Sequence, residues 1–488
     1  MSGLRESLEG KYTPTLLIAL IALVPYILVT SASTLYQPDI LKGVGISKSG
    51  ATLASSFATA AYAFGALLCG DLVNRFRKHR LFPICGGIAA VGWALAALAT
   101  GPASYAIGTV LQGFGTGMLL VVALPPTIQN FSWKRVSLTA MFINIGLFGA
   151  VAAGPLLGGA IAALQGWRWL YGAFAVLAGG ASLLSMVIIP DEEPPNPGLR
   201  FDWPALLLGL GATFLPFGGI AMVGAAGFGS PLVYLPLGVG LICFFALLLV
   251  EFHHDEPLAP VKKMWNTIPV IGTLVATIGG GVFVTLMELT IELDQKVGGE
   301  APLKTGIMFW PQLASVLVAA VLLGALFKTR WLPVLVLIGM LSLCTGGGLL
   351  LMAKTPDHQT LLMVAVGLLG FGAGTTVSPG LFLAGMSLKS NVLGRIVALV
   401  ELVRSVGDFI IAPVMVALSK SFSSGGSVDS GGIADSVLIS VIVCAGTVIL
   451  CIALYWGGRM GLPKPKIQQW LEEDGVALES PPLLARWR

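Results

Sequence analysis

The chain has 488 residues, of which 56% are hydrophobic and only 11% charged, with 63 glycines and a formal net charge of +4. Soluble proteins carry about a quarter of their residues as charge, so this composition excludes a soluble enzyme or binding module and predicts an all-α polytopic membrane protein. The small positive excess is scattered among loops, which excludes a nucleic-acid partner.

At ~20 residues per crossing, the apolar runs divide into fourteen predicted helices: 14–36, 50–73, 81–100, 102–125, 135–163, 167–189, 203–225, 231–251, 268–292, 302–327, 331–353, 359–386, 392–422 and 434–457. The first run is too long for a signal-peptide core and lacks a convincing cleavage site, so it is read as helix 1. With an even number of crossings both ends lie on one side. That side holds 20 of the 28 Lys and Arg residues, the other holds 7, and Arg404 lies within a helix. Basic loops stay cytoplasmic, so both termini are expected inside, in a plasma or inner membrane. The sequon at Asn130 then faces the cytoplasm and cannot be glycosylated.

Helix 1 ends near Asp39, read as a cap or loop acid. Between helices 2 and 3 the chain runs Gly70-Asp71-Leu72-Val73-Asn74-Arg75-Phe76-Arg77-Lys78-His79-Arg80, whose basic cluster sets topology whatever else it does. Helix 4 carries Gln112 and the run Gly113 to Gly117; helix 5 carries Asn144 and then Gly154-Pro155-Leu156-Leu157-Gly158-Gly159. Small residues there let a neighbouring helix approach closely, and proline removes a backbone donor and bends the helix. The stretch 190–263 begins with the Pro-rich acidic connector 190–198, contains helices 7 and 8, and closes with a polar loop at 251–263. Glu288 lies near the end of helix 9, poised between a cavity residue and a wet helix end; Glu292 and Asp294 read as a solvated rim. Tyr26, Tyr62, Gln112, Asn144, Trp310 and Gln312 are either cavity-lining or packing groups, with Gln112 and Trp310 the first choices for a cavity. After 459 the tail has a short amphipathic segment at 467–471 and a basic end, expected to be disordered or to rest on the inner leaflet.

An internal repeat orders these elements. Gly113-Phe114-Gly115-Thr116-Gly117 in helix 4 returns as Gly370-Phe371-Gly372-Ala373-Gly374 in helix 12, and Gly154-Pro155 in helix 5 returns as Ala412-Pro413 in helix 13. The offsets are nearly equal and correspond to eight helices. A six-helix unit repeated in parallel, with two helices inserted between the copies, accounts for them. The expected organisation is a six-helix bundle over 1–189, a linker with two extra helices over 190–263, a second six-helix bundle over 264–458, and a tail over 459–488.

Helix 13 holds the most costly residues in the chain. Glu401, Arg404 and Asp408 are three and four apart, so they share one helix face and can pair along it. An ionised group at bilayer depth costs about 2.5–3.5 kcal/mol even on lenient scales, so such residues face a protein interior or a wet cavity. The alternatives are a self-neutralising packing pair and an ion or substrate pathway. At ~1.5 Å per residue from Asn391, Glu401 lies about 15 Å deep and Asp408 about 26 Å deep. A carboxyl group there would gain or lose its proton according to which side is open to water, the physical requirement for coupling.

Taken together, the loop at Gly70, Asp71 and Arg75 and the helix-5 segment Gly154, Pro155, Gly158 and Gly159 resemble signatures of the major facilitator superfamily. Gly166-Trp167-Arg168-Trp169, Phe201-Asp202-Trp203, Leu293-Asp294-Gln295 with Gly306 and Pro311, and Arg404-Ser405-Val406-Gly407 narrow the resemblance to its fourteen-helix drug:proton antiporters. The resemblance implies a major-facilitator-type fold of two six-helix bundles about a pseudo-twofold axis, and export of amphipathic or drug-like small molecules in exchange for protons. In that reading Arg404 holds the counter-charges, Glu401 or Asp408 takes the proton, and helix 5 is the moving contact. Three positions depart from the pattern: Asn74 replaces the loop acid, with Asp71 one turn earlier as a substitute; Thr109 replaces the helix-4 arginine; Val29 and Thr30 replace the helix-1 aspartate.

The expected partners are a small-molecule substrate, protons and the lipid bilayer, the driving force is a proton gradient, and the unit is a monomer with no cofactor. The six cysteines lie in apolar runs without a CxxC pair, so no metal site or disulfide framework is expected. A facilitator or proton-coupled transporter of an anionic or lipid-like solute is the alternative. A membrane-embedded enzyme or receptor is remote, since HExxH and GxSxG are absent and all four histidines fall in loops.

Overall fold

The computed structural model describes residues 9–194, 196, 198, 201–254, 260–353, 358–423, 429–473 and 475–486. Each predicted apolar run is a helix: α1 (Tyr12–Val44), α2 (Lys48–Arg75), α3 (Lys78–Ala97), α4 (Pro102–Gln129), α5 (Val136–Leu164), α6 (Trp167–Ile188), α7 (Trp203–Ala221) and α8 (Pro231–His253). The series continues with α9 (Thr267–Glu292), α10 (Pro302–Leu326), α11 (Leu332–Met352), α12 (Gln359–Met386), α13 (Leu393–Phe422) and α14 (Ser430–Gly457), then a short α15 (Ile467–Glu472). Lipid offers no hydrogen bonds, so the backbone must satisfy itself within each crossing. Polar caps end several helices: Ser47 Oγ accepts from Gly50 N–H at 3.1 Å, Asp202 from Ala205 N–H at 3.0 Å, and Asp429 from Gly432 N–H at 2.7 Å.

The duplication visible in the sequence is visible in the packing. In α4, a Cβ on Gly113 would sit 2.0 Å from Ala58 O of α2, and one on Gly115 would sit 2.6 Å from Ala89 N of α3. In α12, a Cβ on Gly370 would sit 2.4 Å from Gln312 O of α10, and one on Gly372 would sit 2.9 Å from Gly339 O of α11. Thus α4 is wedged between α2 and α3 as α12 is between α10 and α11. The other partnerships follow the same eight-helix shift: α1 with α5 and α9 with α13, α3 with α6 and α11 with α14. The fold is two six-helix bundles with α7 and α8 between them in sequence. The bundles meet along two seams, α5 against α10 and α2 against α13. The extra pair packs over the second seam, where Phe217 of α7 and Leu247 of α8 join Ala63 and Leu67 of α2 and Leu402 and Val406 of α13 in one apolar cluster.

The face bearing the Arg75–Arg80 cluster is here called the basic face. Its loop is tied to the acidic connector: Arg77 pairs with Asp191 at 2.6 Å, and Asn130 Nδ2 donates to Glu192 Oε1 at 3.2 Å. The tail differs from expectation. Instead of lying free or on lipid, Trp470 is fully buried and donates Nε1–H to Leu388 O at 2.8 Å. Farther on, Ala477 and Leu478 N–H reach Met386 O at 2.9 and 3.0 Å, and Thr267 N–H reaches Pro481 O at 3.0 Å. A tryptophan with a carbonyl in reach and an apolar bed outweighs the chain entropy of a loose tail. Residues 255–259 and 487–488, within the polar loop and the basic end, lie outside the described residues, as do 424–428 between α13 and α14.

Candidate functional site

Between the bundles lies a cavity of about 360 Å³. The first bundle contributes Tyr26, Thr30, Tyr62, Thr109 and Gln112; the second contributes Glu288, Glu401, Arg404 and Asp408. Every charged side chain in the wall therefore comes from α9 and α13. Two of the three departures noted in the sequence explain the asymmetry. Val29, Thr30 and Thr109 do face the cavity, but none carries charge.

On α13, Arg404 is the hub, as the three-and-four spacing dictates. Its Nε–H donates to Glu401 Oε2 at 3.1 Å and its Nη2 to Glu401 Oε1, while Nη1 donates to Asp408 Oδ2. Glu401 thus holds Arg404 through both oxygens, but Asp408 uses only one. Asp408 Oδ1 is buried without a hydrogen-bond partner among the described residues. The carboxylate fits there because α9 presents glycine: a Cβ on Gly280 would lie 3.0 Å from Oδ1 and 3.1 Å from Oδ2. Three consecutive glycines, Gly279 to Gly281, are a feature the sequence reading passed over, although such a run in an apolar helix is a signal of close approach. Glu288 lies two turns farther along α9 and accepts no hydrogen bond among the described residues.

Opposite the charges stands an aromatic wall. Tyr26 and Tyr62 stack with centroids 5.4 Å apart and planes 14° from parallel, and Tyr62 neighbours Glu401 across the seam. Gln112 donates Nε2–H to Gly92 O at 3.3 Å, so its amide is anchored within the first bundle while one side meets the cavity.

The cavity is closed toward the basic face. Leu124, Ile128, Leu393 and Val397 line that end and are buried. Beyond them Gly70 abuts Ala398, with a notional Cβ contact of 3.0 Å; Gln129 donates to Ser390 O; and Lys328 donates to Lys134 O at 2.9 Å. Toward the opposite face, Thr30 and Ser55 line the same cavity and are exposed. The cavity opens on that side.

The conformational motifs fall on these closures. In α5, Cβ atoms on Gly154 and Gly158 would lie 1.9 Å from Ser31 Oγ and 2.4 Å from Ala32 O, so both glycines seat on α1. One on Gly159 would lie 2.5 Å from Pro302 O, and Gly306 of α10 would likewise press on Pro155 O at 2.6 Å, so the other edge of the motif meets the second bundle. At the end of α2, Asp71 and Arg75 form a buried pair (2.7 Å), Arg75 covers the Phe201 ring at 4.4 Å, and Asn74 donates Nδ2–H to Gly70 O at 2.7 Å. Asp71 is neutralised within its own helix and offers no free charge to a neighbouring one.

Several sequence expectations are corrected. Trp310 is 52% exposed and lies outside the cavity wall, because α10 breaks at Phe309 and restarts with the indole turned outward. Asn144 is fully buried between the bundles and donates Nδ2–H to Gly374 O at 2.8 Å, which makes it a seam residue. Asp294 is not a solvated rim: a π-helical turn over Leu293–Val297 turns it inward, where it is 2% exposed and accepts from Thr305 Oγ1 at 2.5 Å. Glu292 is largely covered and pairs with Lys296. Among the described residues there is no His, Cys, Asp and Glu grouping able to hold a metal.

Comparisons with known proteins agree with this architecture. Residues 18–412 match the family described as the Major Facilitator Superfamily. The puromycin resistance protein pur8 of Streptomyces alboniger is 26% identical over 446 residues, covering 86% of each chain. The multidrug resistance protein B homolog of Mycobacterium tuberculosis (strain ATCC 25618 / H37Rv) is 27% identical over 358 residues, covering 72% of this chain and 65% of that protein. Among solved structures, the proton:xylose symporter XylE superposes with a TM-score of 0.60 at 15% identity, covering 99% of this chain and 100% of that one, and shares the fold. Fourteen helices among the described residues that are long and apolar enough to cross a membrane, a duplicated six-helix unit, a cavity between the copies and a family match over most of the length place the chain in the Major Facilitator Superfamily, as a multi-pass membrane transporter and not an enzyme.

Proposed function

We propose that this transporter exports amphipathic drug-like small molecules, cationic ones in particular, in exchange for protons, as one of the fourteen-helix drug:proton antiporters. The basic face is cytoplasmic, in a plasma or inner membrane, and the monomer alternates access by rocking its bundles about the cavity. The observation that carries this reading is the Glu401–Arg404–Asp408 array in the cavity wall. Its one cation is shared by two carboxylates, Glu288 adds a third, and Asp408 Oδ1 has no donor among the described residues.

A proton on Asp408 supplies what its second oxygen lacks. A cationic substrate supplies the same compensation from the cavity, so proton and substrate compete for one unpaired charge. That competition is the chemistry of antiport. With the basic face sealed, the present geometry is the outward-open state, in which substrate leaves and Asp408 takes a proton from outside. The stacked Tyr26 and Tyr62 offer a π-face to an aromatic or cationic solute. The names of the relatives, puromycin resistance and multidrug resistance, are consistent with such a cargo. Attraction of an anionic solute to Arg404 is disfavoured, because both carboxylates already engage it.

The test is uptake of a fluorescent lipophilic cation by everted membrane vesicles energised with an inside-acid pH gradient. The proposal expects accumulation that collapses with a protonophore and is lost in Asp408→Asn. Accumulation indifferent to the protonophore would refute proton coupling.

A further inference from the structure

We infer that the buried Asp294–Thr305 hydrogen bond is a latch that makes the outer segment of α10 move with the second bundle, so that Asp294 and Thr305 are positioning residues for transport. This rests on the rocking motion proposed above and adds to it the part that must be carried along.

The segment Pro302–Met308 is a separate helical piece. At one end Phe309 interrupts α10 before it resumes at Trp310. At the other, Gly299 adopts φ +68, a left-handed conformation that glycine tolerates at little cost. A seven-residue piece with a break at each end is free to follow either of its neighbours. In front stands α5 of the first bundle: Pro302 O faces Gly159, and Gly306 faces Pro155 O, both at distances that leave no room for a Cβ. Behind stands the end of α9 in the second bundle. There the π-helical turn, closed by Gly298 N–H to Leu293 O at 3.0 Å, inserts the extra residue that swings Asp294 inward.

Asp294 meets the segment at one point, Thr305 Oγ1, at 2.5 Å; its backbone carbonyl also receives Glu300 N–H at 3.2 Å. Thr305 is fully buried and immediately precedes Gly306, the residue pressed on α5. The charged neighbours on this loop are engaged elsewhere, Lys304 with Glu300 and Lys296 with Glu292, so Thr305 is the side chain that answers Asp294. A carboxylate buried at this depth with a hydroxyl as its side-chain partner is costly to keep for packing alone. Its geometry gives it a task. When the bundles rock from this state to the other, the close backbone contacts with α5 pull the segment one way and the Asp294–Thr305 bond pulls it the other.

The experiment places spin labels on exposed sites of the full-length protein and measures distances at high pH and at low pH with a lipophilic cation present, to favour each state in turn. The pair Leu164→Cys with Gln359→Cys spans the seam and reports the rocking; the pair Leu303→Cys with Gln359→Cys reports whether the segment stays with the second bundle. In the otherwise native chain the first distance changes and the second stays constant. With Thr305→Val, which is isosteric, the second distance is expected to widen or split into two populations, while cation affinity stays within about twofold and turnover falls at least tenfold. Thr305→Ser restores both. A seam distance that changes while the Leu303 distance stays constant in Thr305→Val overturns the latch. A seam distance that never changes overturns the rocking motion and the latch with it.

Discussion

Replacing Arg404 by Gln tests whether the charged array is balanced as the geometry states. Arg404 is the common counter-ion of Glu401 and Asp408, whose side chains are 8% and 14% exposed, against 24% for the Arg404 side chain. Removing it leaves two carboxylates on one helix face, one of which already has an oxygen without a donor. Breaking a buried pair by deleting one partner costs about 3–5 kcal/mol. Water reaching Arg404 through the cavity places this case near the lower figure, about 3 kcal/mol, or roughly two powers of ten in the folding equilibrium. Neutralising the rest of the array removes the cause, so Glu401→Gln/Arg404→Gln/Asp408→Asn should regain most of that loss while remaining inactive. Denaturation in detergent micelles, followed by tryptophan fluorescence, measures both. An Arg404→Gln variant within about 0.5 kcal/mol of wild type, or a triple variant no better than the single one, would refute the argument.

Within the helix-5 motif, Gly158→Ala and Gly154→Ala should both impair transport. The first drives a methyl to 2.4 Å from the Ala32 carbonyl oxygen and the second to 2.7 Å from Ser31 Cβ, which rotation of the hydroxyl does not move, each at an overpacking cost of about 1–3 kcal/mol; vesicle uptake normalised to protein level measures both, and wild-type uptake in either would refute the close approach of α5 to α1. Trp310→Ala should leave cation affinity and turnover within about twofold of wild type, since the indole faces away from the cavity; a tenfold change in affinity would return it to the wall. Trp470→Ala should destabilise the second bundle by about 3–5 kcal/mol through lost burial, read as a lower melting temperature with cation affinity unchanged.

The fold was legible because its causes are local. Fourteen runs long enough to cross a bilayer, and glycine patterns recurring eight helices apart, follow from composition and spacing alone, and α4 and α12 pack as that repeat requires. The charged triad was legible for the same reason, since i to i+3 and i+4 spacing on α13 fixes who can pair with whom. What the sequence could not assign was direction. Asn144 and Trp310 were read as cavity candidates, yet one closes a seam and the other faces outward, because rotation about a helix axis depends on neighbours hundreds of residues away. Asp294 turned inward through a π-helical turn that shifts the register of α9, and no local pattern announced it. The tail went the same way: its amphipathic segment was visible, but its binding site is assembled from α9, α12 and α14. The Gly279–Gly281 run gains its meaning only beside Asp408, on another helix.

The most direct test of proton exchange is the internal pH of proteoliposomes holding an imposed inside-acid gradient, recorded with a trapped dye as a lipophilic cation is added outside. Transporters inserted with the basic face outward are the ones that pump the cation in and let protons out. Wild type should alkalinise the lumen only when the cation is present, Glu401→Gln should retain part of the response, and Asp408→Asn should abolish it and bind the cation more weakly. Cation flux of wild-type size with no proton movement in any of the three would contradict the account and leave the Glu401–Arg404–Asp408 array as a packing feature of α13.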